Sequence, residues 1–210
     1  MPEKIKVALV GLGNCFSGLI QGIEYYSKNP SQKVTGIIHE NLRDYTIHDI
    51  DFVAGFDVGA NKVGKPINDA IYESPNMVNW IDKNDMPKAN GNVYESPALD
   101  GVGIWVENKV KPIESGKSES ELREEIIKVL KETGTEIIVS YLPVGSEKAT
   151  QFWAQVCLDT NIAFVNCMPA FIASDKEWAQ KFTDKNIPII GDDIKGQVGA
   201  TIVHRTLARL

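Results

Sequence analysis

Lys4–Gln21, KIKVALVGLGNCFSGLIQ, is the stretch whose reading decides the fold. The apolar run Ile5–Val10 has the length of a buried strand. Gly11 and Gly13 follow at once, and Phe16, Leu19, Ile20 and Ile23 then recur with helical spacing. Strand, tight turn and helix in that order open a dinucleotide-binding βαβ unit. The glycines let backbone N–H groups come close to a ligand, and the helix N-terminus adds unpaired donors and a partial positive charge, so the turn suits a pyrophosphate. The G-x-G-x-x-G fingerprint is incomplete, because its third glycine falls on Phe16 and Gly18 comes two residues late. An ordinary glycine-rich strand-to-helix turn is the competing reading.

Outward from this stretch, the first helix is expected to end near Ser27–Pro30, and residues 28–47 read as irregular. Ile50–Val58 is a strand that ends in an acid, Asp57. In a dinucleotide fold such an acid accepts hydrogen bonds from the adenosine ribose, whereas with Gly59 behind it Asp57 could equally be a carboxylate in a turn. PINDAIYE, residues 66–73, reads as a short helix. Residues 74–117 carry Asn, Pro and Gly punctuation, one possible strand at Val102–Val106 and the polar run ESGKSES.

Regular alternation resumes at Ser118. A capped helix runs to Lys131, with Leu122, Ile126, Ile127 and Leu130 on its apolar face and Gly134 to stop it. Then come a strand at Glu136–Leu142, a helix capped by Ser146 and carrying Ala149, Phe152, Trp153, Val156 and Cys157, and a strand at Ile162–Asn166. A helix opened by Ser174-Asp175 and a strand at Ile187–Ile190 complete the series. Short, continuously apolar strands alternating with helices predict an α/β fold: a Rossmann-like doubly wound parallel sheet with helices on both faces, one domain over 1–210 with irregular insertions at about 28–47 and 74–117. The final segment, with Val198, Ile202, Leu207 and Leu210, reads as a helix without a stop signal.

Composition excludes several classes of function. With 43% hydrophobic and 24% charged residues in 210, the chain has the makings of a globular core. A net charge of −6 and scattered basic residues argue against a nucleic-acid surface. Cys15, Cys157 and Cys167 have no metal-ligand spacing, and their odd number favours a reducing compartment. No apolar run reaches the roughly 18 residues that span a bilayer, so a cytoplasmic chain without membrane partners is expected.

Ligands of open parallel sheets lie beyond the carboxyl ends of the strands. That rule collects Gly11–Cys15, Asp57, Ser140–Gly145, Asn166–Met168 and Gly191–Lys195. Asp192, Asp193 and Lys195 form the densest charged group; they can bind a cation beside a phosphate or move a proton, or an aspartate there can simply cap the last helix. All three cysteines read as small buried hydrophobes, since no histidine pairs with them as a base. Trp153 and Trp178 read as core.

Taken together, VALVGLGNCFSGLIQGIEYY, VAGFDV, VSYLPVGSEKATQFWAQ, AFVNCMPAFIASDKEWAQKF and IPIIGDDIKGQVGATIVHRTLA resemble the NAD-binding half of the myo-inositol-1-phosphate (inositol-3-phosphate) synthases of bacterial and archaeal type. The resemblance implies a tightly bound NAD cofactor and conversion of glucose 6-phosphate to inositol phosphate by oxidation, enolisation, intramolecular aldol closure and reduction. It implies cofactor contacts from Gly11, Gly13, Asn14, Cys15, Asp57, Ser140, Tyr141, Leu142, Pro143, Asn166 and Asp192, and catalytic roles for Asp193 and Lys195. Gly196 stands where the family has serine, and Pro66 where an acid is expected. The resemblance also implies a catalytic and tetramerising domain after Leu210, bearing a pair of catalytic lysines, so that the complete enzyme is a homotetramer and the chain itself a fragment. An inactive NAD-binding module, or another NAD-dependent dehydrogenase, is the alternative.

Overall fold

A computed structural model describes residues 3–29, 39–103, 107–193 and 203–209. The strands are β1 (Ile5–Val10), β2 (Ile50–Asp57), β3 (Asn92–Glu95), β4 (Ile137–Ser140), β5 (Ala163–Asn166) and β6 (Ile189–Ile190). The helices are α1 (Asn14–Lys28), α2 (Ile67–Ala70), α3 (Glu119–Thr133), α4 (Glu147–Thr160), α5 (Lys176–Asp184) and α6 (His204–Leu207). All six strands are parallel, in the order β3-β2-β1-β4-β5-β6. This is the doubly wound Rossmann order, and its direction reverses between β1 and β4.

The two-residue period of a strand sorts β1 between two cores. Val7 and Leu9 face Phe16 and Ile20 of α1 and Ile67 and Ala70 of α2. Ala8 and Val10 face the opposite side, where Ile126 and Leu130 of α3, Trp153 and Val156 of α4 and Phe182 of α5 close the core. Trp153 sits at its centre, fully buried, with its ring centroid 4.9 Å from that of Phe56.

The local signals act largely as their chemistry dictates. Ser118 and Glu121 form a reciprocal capping box on α3, and Gly134 ends that helix at φ 65°. Ile127, expected on the buried face of α3, is only half-buried, and Val129 packs against the core instead. Asp175 caps α5 by accepting from the N–H groups of Glu177 and Trp178. Ser146 does not cap α4. The carboxylate of Asp100, reaching in from the segment after β3, accepts from Lys148 N (3.1 Å) and Ala149 N (2.8 Å) instead.

Two readings of the central stretch change. The third strand is Asn92–Glu95, placed by Gly91, where a Cβ would lie 2.4 Å from the carbonyl of Val53. Gly101–Gly103 form no strand, and the rest of the expected strand at Val102–Val106 falls on residues 104–106, outside the described residues. Of the expected last helix, a single turn at His204–Leu207 is described; Val198, Ile202 and Leu210 lie outside.

Candidate functional site

The crevice opens at the carboxyl ends of β1 and β4, where the strand order reverses. Gly11 leaves β1 at φ 81°, donates to the Phe56 carbonyl at 2.9 Å, and lies so close to the next strand that a Cβ would be 2.9 Å from the Tyr141 carbonyl oxygen. Gly13 is the N-cap of α1 with extended backbone, and a Cβ there would meet nothing within 4 Å. The two glycines therefore do different things: Gly11 lets two strands approach, and Gly13 leaves space.

No side chain caps α1 and its first turn holds no acid. The contrast with α3, α4 and α5 is informative, since Ser118, Asp100 and Asp175 occupy those helix starts. An uncapped helix start behind a glycine with open space in front of it fits an anionic ligand. Phe16, in the place of the third glycine, is fully buried and meets the Tyr141 ring edge-on at 4.5 Å.

Asp57 ends β2, nearly buried, with its carboxylate turned onto the glycine turn. Oδ2 accepts from Leu12 N and Oδ1 from Gly59 N, each at 2.8 Å. Lys62, 5% exposed, places Nζ 3.7 Å from Asp57 Oδ2 and 2.7 Å from the Leu12 carbonyl oxygen. The same carbonyl accepts from Asn76 Nδ2 at 2.9 Å. Beyond Asn76 the chain is strapped along α1: Asn14 Oδ1 accepts from Met77 N (2.7 Å) and Val78 N (3.3 Å), and Gln21 Oε1 accepts from Trp80 N (2.7 Å) and Ile81 N (3.1 Å). These contacts explain why Ser17 and Gln21 are buried on α1 while Leu19 stays 38% exposed.

On the other lip, Ser140 is fully buried at the end of β4 and its Oγ has no hydrogen-bond partner. Tyr141 is half-buried and donates its N–H to Val10 O; burial first, then the neighbouring Cys167 and Cys15, push its phenol well above the usual range. Leu142 is half-buried and Pro143 exposed. Cys157 is buried as expected, and burial raises its thiol. Cys15 departs from the expected burial: it lies exposed on the first turn of α1, and Cys167 is half-buried beside Tyr141.

Asn166 and Asp192 form one knot. Asn166 Nδ2 donates to Ala170 O (2.7 Å) and Asp192 Oδ1 (2.8 Å), and its Oδ1 accepts from Met168 N (3.1 Å). Asp192 also accepts from the N–H groups of Ile172, Ala173 and Ser174 at 2.9 to 3.0 Å. It thus anchors the loop leading to α5; the helix start that an aspartate here was expected to be able to cap lies outside the described residues. Desolvation raises its pKa, but the hydrogen bonds from Ser174, Ala173, Asn166 and Ile172 outweigh it, and the carboxyl lies below its ordinary value. A carboxyl depressed in the folded state binds fewer protons there than in the unfolded chain, so its contribution is complete above about pH 4 and is lost as pH falls through the depressed value. Asp192→Asn is therefore expected to flatten the acid limb of wild-type stability, measured as unfolding midpoint in urea between about pH 5 and pH 2.

Asp193 is exposed, with φ 70° and its N–H on Met168 O; Lys195 lies outside the described residues. Structure thus brings together Gly11, Gly13, Asn14, Cys15, Asp57 and Tyr141 around one turn, and ties Asn166 to Asp192 at the next strands. Lys62 and Asn76 were missed: a single lysine in a loop and a single asparagine in an irregular stretch carry no periodic signal. Lys181 and Lys185 stand four residues apart at the end of α5, Lys181 over the Trp178 ring and Lys185 on Leu158 O. Clefts of about 590 and 230 Å³ lie beside β3, between it and α3 and under residues 95–99, away from the glycine turn. Polar groups of their linings are paired with one another, Ser115 Oγ donating to Glu95 at 2.8 Å and Lys117 to Glu125 at 2.6 Å. Among the described residues no helix is long and apolar enough to cross a membrane.

No protein-family model matches the chain. The inositol-3-phosphate synthase of Corynebacterium glutamicum is 48% identical over 212 residues, covering 98% of this chain and 55% of that protein. Those of Mycobacterium tuberculosis H37Rv and Mycolicibacterium smegmatis are 47% and 46% identical over 208 residues, covering 99% of this chain and 54% and 55% of theirs. Among solved structures, Ari2 is similar at a TM-score of 0.81 with 30% identity, covering 99% of this chain and 59% of that one. A myo-inositol-1-phosphate synthase-related protein from Thermotoga maritima gives a TM-score of 0.75 at 22% identity, covering 99% and 59%, a likeness of fold. The chain is a homologue of the inositol-3-phosphate synthases and spans about half the length of the curated relatives it matches.

Proposed function

We propose that this chain binds NAD in the crevice between β1 and β4, as the dinucleotide-binding part of a synthase that converts glucose 6-phosphate to inositol 3-phosphate (inositol 1-phosphate). What carries the reading is the open, uncapped start of α1 behind Gly13, at the point where the strand order reverses. The N–H groups of Asn14 and Cys15 at the helix start take the pyrophosphate, while Gly13, its own N–H held by the Gly11 carbonyl at 2.8 Å, leaves the space in front of them. Asp57 braces the turn and offers its remaining lone pairs to the ribose hydroxyls. Ser140, whose buried hydroxyl lacks a partner, and Tyr141, Leu142 and Pro143 form the wall on the nicotinamide side.

NAD, when bound, supplies hydride acceptance and its return. Around it the protein excludes water and holds protons. Tyr141, its phenol raised by burial, stays neutral and acts as a donor rather than a base. Asn166 and Asp192 fix the turn that carries Asp193; moving the substrate's protons is assigned to Asp193 and Lys195. A tetramer and a membrane-free, cytoplasmic setting belong to the same proposal for the complete enzyme.

The 210-residue chain, incubated with glucose 6-phosphate and NAD, is expected to form no inositol phosphate, because the lysine pair that stabilises the developing enolate belongs to the family's other half. Robust product, followed by phosphorus NMR, would overturn that division of labour.

A further inference from the structure

We propose that Lys62 is a positioning residue for the glycine turn: with Asn76 it holds the Leu12 carbonyl turned into the protein, so that the pyrophosphate meets the N–H groups of the start of α1 and no carbonyl oxygen of the turn. The inference rests on the dinucleotide reading above and assigns a role to a residue that is too buried to touch the ligand.

Both polar groups of the Leu12 backbone are taken by side chains from outside the turn. Its N–H donates to Asp57 Oδ2 at 2.8 Å, and its carbonyl accepts from Lys62 Nζ at 2.7 Å and Asn76 Nδ2 at 2.9 Å. A carbonyl oxygen has two lone pairs, and both are filled. The Leu12 side chain is itself buried against Gly55 and Ile67, but that contact fixes where the residue sits and leaves the tilt of its flanking peptide planes open. The tilt is what Asp57, Lys62 and Asn76 set.

The chemistry of Lys62 is costly for mere filling. An ammonium 5% exposed must be paired and hydrogen-bonded to be tolerated, and an apolar side chain of similar volume would pack there without that demand. Asp57 supplies the opposite charge at 3.7 Å, too far for a good hydrogen bond, while the ammonium's short contact goes to the Leu12 carbonyl. Asp57 and Lys62 cancel in charge, so the field at the mouth of the turn is left to the start of α1. A carbonyl swung outward would set its partial negative charge against a diphosphate in a partly buried site, where the repulsion is strong. Asn76 also adjoins Met77 and Val78, whose N–H groups hold Asn14, so one segment braces the turn and the first residue of the helix.

The test uses the whole 210-residue chain. Titrations with NAD and with adenosine, which has the ribose and base but no phosphate, are compared for wild type, Lys62→Met, Lys62→Arg and Asn76→Ala, with amide hydrogen exchange read by NMR. Lys62→Met is expected to weaken NAD about tenfold or more and adenosine less than about twofold, to speed exchange about tenfold at Leu12 and Gly13, whose N–H groups are held by Asp57 and the Gly11 carbonyl, and to be rescued in part by Lys62→Arg. A folded Lys62→Met chain with unchanged NAD affinity, or with equal losses for both ligands, overturns the proposal. Should Lys62→Met not fold, Asn76→Ala decides it: an NAD loss of about threefold with adenosine unchanged supports the proposal, and no loss overturns it. If wild type itself fails to bind NAD, the dinucleotide reading falls, and the exchange rates at Leu12 and Gly13 alone decide the role of Lys62.

Discussion

Gly13→Ala is expected to leave the chain folded, with stability within about 1 kcal/mol of wild type, and to weaken NAD binding by about a hundredfold or more. The backbone at Gly13 has φ −83° and ψ −165°, which an L-residue adopts without strain, and the new methyl meets no protein atom within 4 Å. Alanine is a poorer N-cap than glycine, and that modest cost is partly offset by the lower entropy of the unfolded chain. The methyl instead projects into the space in front of α1, where the pyrophosphate must come within hydrogen-bonding distance of the helix start. Urea unfolding and calorimetric titration of the same preparation separate the two effects. A variant that binds NAD as wild type does would show that this space is not the pyrophosphate site.

Gly11→Ala is expected to do the reverse, costing about 3 kcal/mol or more of stability before any ligand is considered. The backbone lies in the left-handed region at φ 81°, and a Cβ would sit 2.9 Å from a carbonyl oxygen that belongs to the backbone after β4. Neither atom can yield without moving β1 from β4, and that junction is where the crevice forms. NAD affinity should fall along with the unfolding midpoint. A Gly11→Ala chain as stable as wild type would mean that the close approach of the two strands is not required.

The two glycines illustrate what was legible in the sequence. Ile5–Val10 followed by Gly11 and Gly13 fixed the strand, the turn and the helix, because a buried strand and an amphipathic helix have different periods and glycine marks the change. The same logic found β2, β4, β5, α3, α4 and α5, whose apolar runs are long or periodic. It failed at β3, where Val93 and Tyr94 are the apolar residues in a strand of four, and the register comes from Gly91 packing on Val53. It failed for the cap of α4, since Asp100 is distant in sequence and brought in by the fold.

At the site, Asp57, Ser140 and Asn166 end β2, β4 and β5 as the apolar runs before them indicate, but the hydrogen-bond partners are not always the expected ones. Asp57 stands at the end of β2, yet its carboxylate turns first to Leu12, Gly59 and Lys62. Asp192 lies in the expected loop, yet its charge is spent on the N–H groups of residues 172–174. Hydrogen-bond partners that differ by tens of positions leave no local pattern, so they emerge only once the sheet has brought them together.

The central claim is that the turn at Gly11–Cys15 holds a dinucleotide, and calorimetric titration of the 210-residue chain with NAD tests it most directly. Saturable binding at one site per chain, abolished by Gly13→Ala in a protein that still unfolds at the wild-type urea concentration, is the expected result. No binding by wild type, or binding that Gly13→Ala leaves intact, would contradict it.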